Sequence, residues 1–278
     1  MPLCNMRDLL NDARKGGYAV GSFSAANLEC VMGVIAAAEE MRAPIILQCA
    51  ETRLKHTPLS MIGPMMVSAA KQATVPVAVH LDHGTTLPCI REALELGFTS
   101  VMLDGSALPI RENIAKVRQV VEMAGEYGAS VEAEVGRVGR GEDGSEAAAE
   151  AASIADCIAM DETGIDALAV GIGNAHGLYA ATPELRYDIL EQLSGNLNAH
   201  LVLHGGTGLT DEQFRRLIAL GMRKINIATD VFRAAAMAER TDDIFSNITS
   251  SAAAVKEVTK KHIALFGSAG KAEYNGQV

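Results

Sequence analysis

A chain of 278 residues with 49% hydrophobic side chains has ample material for a sizeable core, and its length fits one α/β barrel. Aromatic residues make up only 4%, with no Trp, and the net charge is −10, so neither base stacking nor charge favours nucleic-acid binding. Five cysteines without a CxxC pair, a polar amino terminus and the absence of a long apolar run predict a soluble cytoplasmic protein.

Short apolar runs rich in β-branched residues recur along the chain and alternate with segments of helical periodicity. The helical segments include NLECVMGVIAAAEEM and PIRENIAKVRQVVEMAGEYG. The predicted strands are residues 19–25, 44–50, 76–82, 100–106, 130–136, 167–173, 201–206 and 224–229. Eight alternations favour a closed (β/α)8 barrel over an open doubly wound sheet. We therefore expect a single TIM-barrel domain over residues 1–278.

Two longer segments depart from this alternation. Residues 137–153 are Gly-rich and then Ala/Glu-rich, which predicts a mobile loop that leads into a helix. The tail from Thr241 onward has a helical pattern and is expected to pack outside the barrel as extra C-terminal helices.

Histidines and carboxylates concentrate where the predicted strands end. Active sites of such barrels form at the carboxyl ends of the strands. The residues at these positions are Asp82, His83, Asp104, Glu132, Glu134, Asn174, His176, His204 and Asn226. A single Asp could cap a helix and a single His could be structural, but three histidines among carboxylates favour a three-histidine zinc site with an open position. His80, also on strand 3, is predicted to lie inside the barrel.

Two glycine- or threonine-bearing turns predict a phosphate site. HGGTG (204–208) follows strand 7 and NIATD (226–230) ends strand 8. The loops after strands 7 and 8 of a barrel commonly bind phosphate, because glycine allows close backbone approach and helix N-termini favour anions.

Several motifs together carry a resemblance to a known family. In chain order they are HLDHG, VEAEVGRVGRGEDG, GIGNAHGLY, LVLHGGTG and KINIATD. As a set, over about residues 3 to 272, they resemble the class II, zinc-dependent ketose-bisphosphate aldolases, most closely the tagatose-bisphosphate branch. The resemblance implies an enzyme that cleaves a ketose phosphate reversibly into dihydroxyacetone phosphate and an aldehyde, and that forms a homo-oligomer, a dimer or a tetramer.

The resemblance also implies a metal set. One catalytic zinc per chain would be held by His83, His176 and His204, with Glu134 as an alternate ligand and Asp104 at a second metal position.

Catalytic and substrate-binding roles follow from the same resemblance. Asp82 would exchange a proton with the C4 hydroxyl, and Glu142, in the loop GRGEDG, would move the enediolate proton. Backbone oxygens near two of the phosphate-site glycines would bind a monovalent cation, Na⁺ or K⁺. The residues implied for dihydroxyacetone phosphate are Gly177, Gly205, Thr207, Asn226 and Thr229.

Three departures from the family pattern bear on the substrate. Ala180 and Ala181 stand where a lysine is usual, Ser24 replaces an asparagine of the first strand, and Lys256 replaces an arginine for the distal phosphate. Because lysine lacks the bidentate fork of arginine, we predict a ketose with one phosphate, at C1, and a sugar or sugar-acid portion beyond it. The candidate basic residues for that portion are Arg53, Lys55, Arg137 and Arg140.

Three alternatives stay open on the sequence alone. The first is cleavage of fructose or tagatose 1,6-bisphosphate. The others are a metal-dependent hydrolase, since metal-bearing barrels also activate water, and a non-catalytic subunit that binds sugar phosphates.

Overall fold

The computed structural model describes residues 2–139, 149–179 and 182–272. Eight β-strands alternate with α-helices in this part of the chain. The strands are β1 (Val20–Ser24), β2 (Ile45–Ala50), β3 (Val77–Gly84), β4 (Ser100–Leu103), β5 (Ser130–Val135), β6 (Ala167–Val170), β7 (His200–Leu203) and β8 (Met222–Ile227). The helices are α1 (Met6–Gly16), α2 (Leu28–Met41), α3 (Leu59–Gln72), α4 (Leu87–Glu95), α5 (Ile110–Glu126), α6 (Ile154–Asp161), α7 (Tyr187–Leu193), α8 (Asp211–Ala219), α9 (Thr229–Met237) and α10 (Ile244–Leu265), with a 3₁₀ turn at Glu51–Arg53.

The strands form a closed barrel in the order β1 to β8, and each pairs in parallel with its neighbours. The barrel closes where Ser22 of β1 lies opposite Asn226 of β8. The predicted (β/α)8 TIM-barrel class is confirmed. Several strands end earlier than predicted, for example β4 at Leu103, because the following residues leave the ladder to form the loops of the rim.

Helix α1, which the sequence did not reveal, closes the amino-terminal end of the barrel. Met6 and Leu10 are fully buried against interior side chains such as Val20 and Ile46. Asn5 begins the helix by accepting a hydrogen bond from the Arg7 amide. The interior is thus apolar at this end, and its buried polar side chains lie farther along the strands.

The predicted helical tail corresponds to α10, which packs along α2 outside the barrel. Gly33 permits the close approach, since a Cβ there would lie 2.5 Å from the carbonyl oxygen of Ala252. The helix predicted after the long loop is α6, which begins one residue after its cap, Ser153. Much of that loop, residues 140–148, lies outside the described residues.

Two further features agree with the composition. Within the described ranges, none of the helices combines the length and apolar character of a membrane span. All five cysteines lie in the described part of the chain and none forms a disulfide. Burial raises the pKa of Cys157 to about 12, so this thiol stays protonated at neutral pH.

Candidate metal centre and active site

An irregularity at the end of β3 brings two adjacent residues into the same site. Side chains alternate along a strand, so Asp82 and His83 should point to opposite faces. The register between β3 and β4 shifts from Leu81 to Gly84, and His83 adopts a left-handed backbone conformation, φ +45°. This conformation is rare for a residue with a side chain. It breaks the alternation, and the His83 ring lies at the rim beside histidines from the ends of other strands.

The rings of His83, His176 and His204 form one cluster. Nε2 of His83 lies 3.2 Å from Nε2 of His176. The ring centroids of His83 and His204 are 4.6 Å apart, and those of His176 and His204 are 6.0 Å apart. One ring nitrogen from each histidine lies within 4.8 Å of the others, and all three side chains are buried. Three convergent nitrogens of this kind could hold a single metal ion.

Carboxylates fix the far nitrogen of two of these rings. Nδ1 of His83 lies 2.7 Å from Oδ2 of Asp104, and Oδ1 of the same carboxylate accepts hydrogen bonds from Ser106. Nε2 of His204 lies 2.9 Å from Oε1 of Glu132. An ionised carboxylate only accepts, so each ring donates at that nitrogen and directs the other toward the cluster. This is the arrangement in which metal-bound histidines are usually held.

Two buried atoms in the cluster lack hydrogen-bond partners among the described residues, namely Nδ1 of His204 and Oε2 of Glu134. They lie 3.2 Å apart, as in an ion pair. Burial lowers the pKa of His204 and nearby His83 adds to this, but Glu132 and Glu134 outweigh both and raise it to about 9. Burial likewise opposes charge on His83, yet Asp82 and Asp104 raise its pKa well above 6.5. An acidic pocket that holds imidazolium rings fits a bound cation.

Asp82 lies in the barrel interior, next to this cluster. Its Oδ1 accepts from the Asn226 amide at 3.1 Å, and its Oδ2 accepts from the Gln48 amide at 2.9 Å. The same Gln48 amide also donates to Ser24 at 3.0 Å. Burial would raise the pKa of Asp82, but positive charge on His83, His204 and Lys224 outweighs it and lowers the pKa. Asp82 is therefore an oriented, ionised carboxylate.

A second polar group, which the sequence did not indicate as a unit, lies one layer deeper. His80, Asp82 and Glu132 are close enough to share a cation, but Lys224 supplies one, with its Nζ 2.9 Å from Oε2 of Glu132. Burial and the charge on Lys224 lower the pKa of His80 to about 3, so this ring is neutral. A lysine inside the predicted strand KINIAT was the signal available for this group.

The glycine-bearing turns meet beside the histidines. Gly205 has φ +65°, and a Cβ there would lie 2.2 Å from the carbonyl oxygen of Ala175, so a side chain cannot be accommodated. The Tyr179 hydroxyl donates to the Gly205 carbonyl at 2.8 Å, and the Asn174 amide donates to the His204 carbonyl at 2.8 Å. These contacts join the loops after β6 and β7.

The other predicted phosphate residues lie at the ends of the neighbouring elements. Gly177 has φ +80°, in the same turn as His176. Thr207 is buried, and its hydroxyl has no hydrogen-bond partner among the described residues. Asn226 is near the end of β8, and Thr229 is the first residue of α9.

Lys256 is not brought to the cluster. Its Nζ forms an ion pair with Glu40, which also pairs with Lys260. Glu40 is in the last turn of α2, which runs from the carboxyl end of β1 back toward the start of β2. This ion pair does not connect Lys256 to the three-histidine cluster, and its role as a substrate contact stays a prediction. Glu142 and Arg140 lie outside the described residues.

Comparison with known proteins gives a consistent result. Residues 4–271 match the family described as class-II fructose-bisphosphate aldolase. The chain is 39% identical to the 6-phospho-5-dehydro-2-deoxy-D-gluconate aldolase of Halalkalibacterium halodurans, over 98% of this chain and 99% of that one. It is 38% identical to a fructose-bisphosphate aldolase of Staphylococcus aureus, over 98% and 100% of the two chains. The crystal structure of the YdjI aldolase from Escherichia coli K12 superposes with a TM-score of 0.89 at 36% identity, covering 98% of this chain and all of that one.

Proposed function

The chain belongs to the class-II fructose-bisphosphate aldolase family, and from this membership we propose that it cleaves a ketose 1-phosphate reversibly into dihydroxyacetone phosphate and an aldehyde. It is a class II aldolase, which decides against the hydrolase and the non-catalytic subunit. The observation that best supports a location for this reaction is the cluster of His83, His176 and His204, which lies beside Asp82 at the carboxyl end of the barrel.

We assign one zinc ion per chain to the three histidines. The donor set supports this, because three imidazole nitrogens with carboxylate partners behind them suit Zn²⁺ and leave room for substrate. When bound, zinc supplies Lewis-acid stabilisation of the negative charge that develops on the substrate's C2 oxygen. Glu134 is assigned as an alternate ligand and Asp104 to a second metal position, since with His83 they form a second group close enough to share an ion.

Asp82 is the proposed acid–base residue at C4. Cleavage of the C3–C4 bond requires loss of the C4 hydroxyl proton, and an ionised carboxylate is its acceptor. The amides of Gln48 and Asn226 hold one oxygen each and so fix the plane of the carboxylate. Both acceptors keep a second lone pair, so these bonds do not prevent Asp82 from receiving the proton.

Glu142 is the proposed acid that returns a proton to C3. The described start of its loop supports this role, because Gly139 is tied to the metal side of the site. The Gly139 amide donates to the Asn174 carbonyl at 2.9 Å, and the His176 amide donates to the Gly139 carbonyl at 2.8 Å. These two bonds hold Gly139, three residues before Glu142 in the sequence, beside His176.

The C1 phosphate is assigned to the loops after β6, β7 and β8, with Gly177, Gly205, Thr207, Asn226 and Thr229 as its contacts. The buried, unpaired Thr207 hydroxyl supports this assignment, since a native site seldom buries a hydroxyl without a partner. Helix α9 adds an N-terminus, which favours an anion. A monovalent cation, Na⁺ or K⁺, is assigned to backbone oxygens near the two glycines.

The part of the substrate beyond C4 is assigned to the side of the barrel formed by β1 and β2. In this proposal the C1 phosphate lies at β7 and β8, and the carbon that reacts lies at Asp82 on β3. The rest of the substrate's carbon chain then extends toward β2, the neighbour of β3. A cavity of about 390 Å³ lies beside the ends of β1 and β2, and Arg53, His56 and Arg240 are among its lining residues. These groups suit hydroxyls or a carboxylate, and they support a sugar or sugar-acid portion beyond C4.

A comparison of substrates tests this choice. Formation of dihydroxyacetone phosphate is followed with fructose and tagatose 1,6-bisphosphates and with longer ketose 1-phosphates, including acidic ones. We expect the highest kcat/KM with a longer ketose 1-phosphate. A clear preference for either bisphosphate would establish the alternative, and no dihydroxyacetone phosphate from any of them would reject the proposed reaction.

We also propose a cytoplasmic homo-oligomer, a dimer or a tetramer. The exposed apolar side chains of Met237, Ile244 and Phe245, beside the connection between α9 and α10, support a self-association surface. Light scattering after size exclusion should give a dimer or tetramer for the native chain and a monomer for Phe245→Glu. A monomeric native chain would reject the proposal.

A further inference from the structure

Lys224 of β8 is a fully buried ammonium in the barrel interior, and the reaction as described does not use it. A buried charge is strongly unfavourable unless it is paired and hydrogen-bonded. A hydrophobic side chain of similar volume would fill the same space without this cost. The contacts of Lys224 therefore indicate what its charge does.

Within the described ranges, Nζ of Lys224 has two polar partners, and each partner contacts a residue of the proposed centre. Its Nζ donates to Oδ1 of Asn226 at 2.8 Å, and Asn226 in turn donates to Asp82 at 3.1 Å. The same Nζ lies 2.9 Å from Oε2 of Glu132, whose other oxygen lies 2.9 Å from Nε2 of His204. The ammonium group of Lys224 is thus linked through one residue to Asp82, the proposed proton acceptor, and through another to His204, a proposed metal ligand.

The chemistry of the ammonium group fixes the direction of each chain of hydrogen bonds. Lysine has donors and no acceptor, so Asn226 must present its oxygen to Lys224 and its NH₂ to Asp82. Glu132, paired with the ammonium, is held ionised, so it accepts a hydrogen bond from the N–H at Nε2 of His204. The remaining nitrogen of His204, Nδ1, is then the one available in the cluster.

From this geometry we infer that Lys224 is a positioning residue with two targets: it sets the amide orientation of Asn226 against Asp82, and through Glu132 it selects the metal-binding nitrogen of His204. The inference rests on the proposed function, since it takes His204 as a zinc ligand and Asp82 as the acid–base group.

The test is Lys224→Met, which keeps the approximate length of the side chain and removes its charge. Arg223→Met is the matched control, because Arg223 precedes Lys224 on β8 and, in the part of the chain that the structure describes, donates to the backbone oxygens of Ile218 and Met222. Zinc affinity of the folded, metal-free variants is measured by competition with a chromophoric chelator. We expect Lys224→Met to bind zinc roughly 10- to 100-fold more weakly, the usual effect of losing an outer partner of a ligand. The control should bind zinc as the native chain does.

A second readout separates positioning from general damage. In zinc-saturated protein, Lys224→Met should lower kcat by at least about tenfold with a smaller change in KM, since a disordered Asp82 slows proton transfer more than binding. Wild-type zinc affinity together with wild-type kcat in folded Lys224→Met would overturn the inference. An equal loss in Arg223→Met would overturn it as well.

The single variant Lys224→Met leaves the Glu132 carboxylate buried without its ion-pair partner, which could destabilise the fold. The double variant Glu132→Gln/Lys224→Met avoids this problem, because it removes both charges. If Lys224 acts on zinc through Glu132, the double variant should bind zinc no more weakly than Glu132→Gln alone. Losses that add in the double variant, or wild-type affinity in it, would contradict the inference. His204→Ala separates a failure of this inference from a failure of the proposed zinc site, because unchanged zinc affinity in that variant would reject His204 as a ligand.

Discussion

Zinc binding to the metal-free protein should become steeply stronger as pH rises. A histidine binds metal only after it loses its proton, and the pKa of His204 is about 9. At pH 7 only about 1% of that ring is deprotonated, which weakens the apparent affinity about 100-fold relative to the deprotonated ligand. The pKa of His83 is also raised, so zinc binding must displace a second proton, from this ring. At pH values below the pKa of both rings, the logarithm of the apparent affinity should therefore rise by about two per pH unit.

Chelator competition between pH 6 and pH 8, at constant ionic strength and corrected for protonation of the chelator, measures this slope. Calorimetry in two buffers of different ionisation enthalpy gives the number of protons released. His204→Ala should lower the affinity and reduce the slope by about one. A slope near zero in the native chain, or the same slope and affinity in His204→Ala, would refute the assignment of these rings as ligands.

Three further results are expected. Asp82→Ala should keep its zinc but cleave the ketose phosphate ~10²–10⁴-fold more slowly, because it lacks the proton acceptor at C4; native turnover would remove that role. Glu142→Ala should bind dihydroxyacetone phosphate almost normally but slow exchange of its C3 proton with solvent, followed by NMR in D₂O; unchanged exchange would transfer the role to another residue. Thr207→Val should raise the Kd of dihydroxyacetone phosphate ~10- to 100-fold, since a hydrogen bond to a charged group contributes about 1.5–3 kcal/mol, while the thermal midpoint stays within a few degrees of native. An unchanged Kd would place Thr207 outside the phosphate site.

The strands and the location of the site could be predicted because both depend on local pattern. Continuous apolar runs are typical of parallel strands covered on both faces, and each run overlaps an observed strand. Polar residues at the ends of those runs, such as His204, could then be placed on one rim without knowledge of any contact.

Features that depend on backbone conformation or on distant partners could not be predicted. Alternation would have separated Asp82 from His83, and only the left-handed conformation of His83 brings the two together. Lys256 looked like a substrate contact by its position in a motif, yet the packing of α10 along α2 pairs it with Glu40. Glu132, one of the two polar partners of Lys224, comes from β5 while Lys224 lies on β8, so this contact exists only in the closed barrel.

The most direct test of the central claim is a crystal structure of zinc-loaded protein with anomalous data collected on both sides of the zinc edge. We expect one strong anomalous peak per chain, within bonding distance of ring nitrogens of His83, His176 and His204. A peak at other residues, or no peak in protein that cleaves its substrate, would contradict the account.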